Sequence, residues 1–172
     1  MAAKKYLSNV SGEITEVQAT VTSAGAGDDG KIVALDSSGK IDTSVLPTGV
    51  GAETKTLASS ENLAAGDFVN IWNDSGTTKT RKADASGGTA KQAHGFVLSA
   101  VTSPANATVY TEGINTQCSG LTGGTNYFLS GASAGLPTAT APSTTAYIVQ
   151  PIGVALSATE ISFEPQPPVV LV

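Results

Sequence analysis

One cysteine and one histidine are all this chain offers to thiol, imidazole and metal chemistry. With Cys118 alone no disulfide can close within the chain, and synthesis in a reducing cytoplasm fits. His94 has no second histidine and no cysteine pair at ligand spacing, so no metal centre is legible. Nor does an orienting carboxylate or a nucleophile stand beside it in the sequence. Cys118 lies in the polar stretch NTQCSG with no basic neighbour to lower its pKa. Asp28, Asp29 and Asp36 lack the D-x-D-x-D-G spacing and the distal glutamate of a calcium loop. GLTGG and GASAG neither end in Gly-Lys-Ser/Thr nor follow dinucleotide spacing, and they read as hairpin turns. The expectation is a protein with no enzymatic activity and no cofactor or metal.

Charge is scarce as well. Charged residues make up 13% of the chain, about half of the roughly 25% usual in soluble domains. The net charge of −5, with nine Lys and Arg spread along the chain, argues against nucleic-acid binding. Lys79, Arg81 and Lys82 form the densest basic group and read as a solvated strand face. No apolar run approaches the ~20 residues that cross a bilayer, so no membrane contact is expected. The start, MAAKKYLSNVSGE, has two lysines and no apolar stretch after them, and does not read as a secretory signal. Aromatics are only 5%, which predicts a core built mainly of Val, Ile, Leu and Ala.

What is present divides into two textures, residues 1–56 and residues 57–172. In the first, apolar residues fall at Leu7, Val10, Ile14, Val17 and Val21, a spacing of about 3.5 residues. With Ser11, Glu13 and Glu16 as a helix start, this favours a short helix over an extended arm. SAGAGDDG then blocks regular structure. The following DDGKIVALDSSGKIDTSVLP carries Ile32, Val33, Leu35, Ile41, Val45 and Leu46 among small and polar residues. It reads as an extended docking arm, strand-turn-strand with Asp36–Gly39 as the turn, ordered only against a neighbouring surface. From residue 57 onward turn signals recur every ten residues or so. Phe68, Asn70 and Trp72 alternate with Val69 and Ile71, HGFVLSAV reads as a strand buried on both faces, and TEISFEP is the last clear strand. The fold class expected is all-β: a small antiparallel β-sandwich or barrel with an extended N-terminal arm.

The run LAAGDFVNIWND, TRKADAS, AHGFVLSAV, ATVYTEGIN, GLTGGTNYFLSGASAGLPTATAPS and VQPIGVALSATEISFEP resembles, in that order, a small β-domain of tailed bacteriophages. That domain occurs in capsid decoration (cement), head-fibre and tail-fibre proteins. TSAGAGDDGKIVALDSSGKIDTSVLP is similar to stretches that precede it. The resemblance spans the chain from about Tyr6 to the C-terminus and implies a structural homotrimer. Its partners would be its own copies and the major capsid protein, on the outer surface of a virion assembled in a bacterial cytoplasm. The apolar stripe and the docking arm then give the candidate interaction residues: Leu7, Val10, Ile14 and Val17 with Ile32, Val33, Leu35, Ile41, Val45 and Leu46. The alternative is a fibre or receptor-binding protein contacting the host surface, with Trp72 and Tyr127 as candidate sugar-stacking rings.

Overall fold

The computed structural model describes residues 4–47 and 50–172. Its backbone divides into two units, Met1–Gly51 and Ala52–Val172. The boundary falls before the expected position because Thr54–Ser59 is already a strand of the second unit.

The first unit opens with an antiparallel hairpin, β1 (Lys5–Val10) and β2 (Glu13–Gln18). This corrects the helix expected over Leu7–Val21. The deciding residues are Ser11 and Gly12, with φ of 55° and 92°. Two consecutive positive φ values make the two-residue turn that matches strand twist. Asn9 Oδ1 accepts from Gly12 N–H at 2.9 Å and secures it. The β-branched residues of the stretch, weak in helices, suit a strand. After β2 the chain runs mostly without strands. Thr20 bridges Val33 in parallel, with Thr20 N donating to Ile32 O and Ala34 N to Thr20 O. The turn at Asp36–Gly39 forms, closed by Asp36 N to Lys40 O at 2.7 Å. Its flanks do not form the expected pair of strands, and a short 3-10 helix covers Thr43–Val45.

The second unit is a barrel packed on a sheet. β3 (Thr54–Ser59), β4 (Phe68–Asp74), β5 (Thr77–Lys82), β6 (Gly95–Val97) and β7 (Asn106–Tyr110) close in the order β3-β5-β4-β6-β7. All pairs are antiparallel except β3 with β5. β8 (Gly113–Asn115), β9 (Asn126–Leu129), β10 (Pro137–Thr138), β12 (Pro151–Ala155) and β13 (Ile161–Phe163) form a sheet in the order β10-β9-β12-β13-β8, and β11 (Ile148–Val149) pairs with β14 (Val169–Val170). The C-terminal PPVVLV thus ends in a paired strand.

Strand alternation sorts the core. Val69, Val97, Ala107, Val109 and Leu57 form one buried cluster, on the inner side of the barrel strands. Their neighbours Phe68 and Phe96 point the other way and meet Phe163, Leu129, Ile148, Ile152 and Ile161. Phe163 lies 5.6 Å from both Phe68 and Phe96 by ring centroids, and Tyr110 stacks on Phe96 at 5.4 Å. The core expected to be aliphatic is therefore anchored by aromatics: few in number, they are concentrated at the one junction that both layers share.

Polar bonds reinforce that junction. Buried Gln150 accepts from Ala93 N–H at 2.8 Å and donates to Ala93 O at 3.0 Å, reproducing a backbone ladder pair with a side chain. Buried Asn115 donates to Gly66 O at 2.9 Å. Gly66 has φ 89°, and a Cβ there would meet Gln117 O at 2.3 Å, so no other residue fits the turn. Replacing Gln150 by Ala should orphan both backbone groups of Ala93 and lower the unfolding free energy by about 2–4 kcal/mol. Urea denaturation followed by Trp72 fluorescence checks this.

Candidate functional site

His94, Cys118 and the Lys79–Lys82 basic group of the second unit are held in structural contacts. His94 Nδ1 accepts from Ile71 N–H at 3.0 Å. The imidazole proton therefore sits on Nε2, 2.8 Å from the Gln92 side-chain amide, whose oxygen is the end able to accept it. Burial pushes the His94 pKa below its ordinary value. Asn70, buried beside it, donates to Gln92 O at 2.8 Å and accepts from Arg81 Nε at 3.0 Å. Arg81 in turn covers the Trp72 ring at 4.3 Å. Lys79 pairs with Asp74 at 2.8 Å and Lys82 with buried Asp67 at 3.2 Å. All three members of the basic group are thus engaged. Cys118 is half-buried and its thiol is pushed up to about 11 by burial, which keeps it protonated and unreactive. A groove of about 450 Å³ runs past Cys118, Leu121, Tyr127 and Leu136, and no charged side chain lines it. Among the described residues no three His, Cys, Asp or Glu gather as a metal site.

The first unit is organised differently. No described residue of it is buried. Leu7 is 72% exposed and Ile14 67%, and Val10, Ile32, Val33, Leu35, Ile41 and Val50 are exposed as well. Val17, Val45 and Leu46 are half-buried. The hairpin register puts Leu7 and Ile14 on one face, with Lys5, Asn9, Glu16 and Gln18, all exposed. Val10 and Val17 lie on the other face with Tyr6, Ser8 and Thr15, and only Val10 and Glu13 there are exposed. The presumed single stripe is two half-stripes, because steps of three residues change face in a strand. The structure brings Leu7 and Ile14 together; it does not gather the ten candidate residues into one patch.

Backbone-capping aspartates hold this coreless unit in shape. Asp28 accepts from Lys31 Nζ at 2.7 Å and Ala24 N–H at 2.6 Å, and the lysine bond is the main cause of its lowered pKa. Asp36 accepts from Lys40 N–H at 2.9 Å and Ser38 N–H at 2.8 Å, which lower its pKa in that order. Bonds from Ser44 lower that of Asp42, while Ser44 Oγ accepts from Ser23 N–H at 2.8 Å. Sequence reading weighed Asp28 and Asp36 against a calcium loop, placed Asp36 in a turn and gave Asp42 no role; the signal for capping was an Asp two residues before Ser38 and another two before Ser44.

Comparison of the chain with protein-family models, with curated proteins and with solved structures gave no match in any of the three.

Two pH dependences follow, of different origin. The aspartate pKa values lie below the ordinary 3.8, so their stabilisation is present above about pH 4 and disappears as pH falls through the folded values. Amide protection over residues 23–44 should be lost there first, as hydrogen exchange reads. His94 lies below its ordinary 6.5, so stability of the second unit is full above that pH and declines as pH falls toward the folded value. Urea midpoints between pH 8 and 5 should drop, and His94→Gln should flatten the profile.

Proposed function

We propose that the chain is a capsid decoration protein, a homotrimer whose N-terminal unit fastens a β-domain to the major capsid lattice of a tailed phage. It bridges neighbouring capsid subunits so that the shell withstands the pressure of packaged DNA. One observation carries this reading. The first unit spends its hydrogen bonds on a defined shape, yet buries no described side chain and holds eight large aliphatics at exposed positions. A shaped surface of that composition gains by burial against another protein. The second unit has its own core and needs no such cover to fold. The phage resemblance supplies the partner. The receptor-binding alternative gains little from its candidate rings: Tyr127 is buried, and Trp72 is half-buried beneath Arg81.

A chain lacking residues 1–51 should keep the β-domain circular dichroism and cooperative melting while failing to co-sediment with capsids of its phage. In the full chain, Ile32→Asp or Leu35→Asp should weaken capsid binding about tenfold or more, given ~1.5–3 kcal/mol per buried aliphatic. Decoration by the truncated chain at undiminished affinity sinks the docking role of this unit.

A further inference from the structure

The hairpin carries a second, more specific surface: its two edges. Ala19 N donates to Lys4 O at 2.8 Å in the register that continues through the hairpin. Antiparallel alternation then makes Tyr6/Val17, Ser8/Thr15 and Val10/Glu13 the hydrogen-bonded pairs. The N–H and C=O groups of Lys5, Leu7 and Asn9 on β1, and of Ile14, Glu16 and Gln18 on β2, point away from the hairpin. Among the described residues none of them is paired. Those six residues are also the ones on the fully exposed face. Open backbone edges and the exposed Leu7 and Ile14 thus share one face, whose other four residues are polar or charged; soluble proteins normally cover or pair such edges.

We infer that the partner of this surface is another copy of the same hairpin: β1 of one copy pairs antiparallel with β2 of the next, closing a barrel with Leu7 and Ile14 inside. It gives a structural form to the homotrimer of the proposed function and rests on that reading for the number of copies. The contact is head-to-tail, so it forms a ring by rotation. A closed barrel requires an offset between strands, and the right-handed twist of strands sets its direction once the inward face is chosen. With Leu7 and Ile14 inward, the smallest allowed offset is two residues per copy. It places Leu7 opposite Ile14 of the neighbour and Lys5 opposite the neighbour's Glu16. Apolar meets apolar, and Lys5, which already pairs with Glu16 of its own hairpin, also comes opposite the neighbour's Glu16. Two residues of rise across two strand spacings tilt the strands by about 35°, at the edge of the usual range. Three copies of the two-stranded hairpin make six strands around one layer of Leu7 and Ile14 side chains, with Lys5 and Glu16 forming the next layer toward the end away from the turn. That suits an interior narrower than the eight-stranded barrels that side chains just fill. Each copy's other face, with Tyr6 reaching Gly30 O at 3.4 Å, stays turned toward its own unit.

The test uses the full chain in a Cys118→Ser background, without capsids. Leu7→Cys and Ile14→Cys chains carrying different tags are co-expressed and oxidised. Opposed hydrogen-bonded positions lie about 5.5 Å apart by Cα, within disulfide range, so a disulfide joining the two tags is expected on a non-reducing gel. Neither variant expressed alone should cross-link. Separately, sedimentation equilibrium of the parent should give the mass of three chains, falling to one chain in Leu7→Lys with the circular dichroism of the β-domain unchanged. A monomeric parent, no mixed disulfide, cross-linking of Leu7→Cys to itself, or a Leu7→Lys protein that stays oligomeric each overturns the inference. Loss of capsid binding with the mixed disulfide intact counts only against the decoration role.

Discussion

Phe68 and Phe96 on the barrel meet Phe163 on the sheet, and the second unit depends on that contact. The chain has four phenylalanines, and three are committed to this one junction. The inner side of the barrel is lined by Val, Leu and Ala, which fill it but are too small to reach a second layer. Only the aromatic side chains, placed on alternate positions of β4 and β6, span from one layer to the other. Gln150 and Asn115 then satisfy backbone groups where the layers' loops meet, so polar atoms at the junction are not left bare. Arg81, Asn70, Gln92 and His94 extend the same logic to the barrel exterior, where each polar group answers another.

The first unit follows the opposite rule. It has no described buried residue and no phenylalanine, and its shape comes from aspartate caps, a Ser-Gly turn and single backbone bridges. Such bonds define a conformation yet contribute little net stability in water. A two-stranded hairpin is marginal when isolated, and an exposed apolar face adds to the tendency to find cover. The contrast between a β-domain with its own core and a shaped unit that buries none of its described residues is the observation behind the proposed decoration role. It also separates two surfaces within the first unit: the hairpin face of Leu7 and Ile14, and the aliphatics from Ile32 to Ile41.

Much of the β-domain was legible because strand alternation is local. The opposite facing of Phe68 and Val69, and the turns at Gly66-Asp67 and Asp74–Thr77, need only neighbouring residues to be read. The hairpin was misread because five apolar residues at steps of three and four satisfy a helical period, while Ser11-Gly12 spoke for a turn through backbone conformation. Two residues of turn chemistry outweighed fifteen of periodicity, since β-branched side chains gave the helix little intrinsic support. The turn at Asp36–Gly39 was legible for the complementary reason: aspartate and glycine there act through local bonds and positive φ.

The amino-acid sequence by itself determined the all-β class, the change of texture between its first fifty or so residues and the rest, and the turns at Gly66-Asp67, Asp74–Thr77 and Asp36–Gly39. Each depends on composition or on contacts within a few residues. The tertiary structure alone decided the rest. It decided that β3 runs parallel to β5, that Gln150 pairs with Ala93 across the unit, that PPVVLV ends as a strand, and that Leu7 and Ile14 share an open face. Those outcomes join residues far apart in the chain, or turn on which edges remain unpaired. Such pairings are selected by the burial and hydrogen bonding of the whole fold, and no local pattern encodes them.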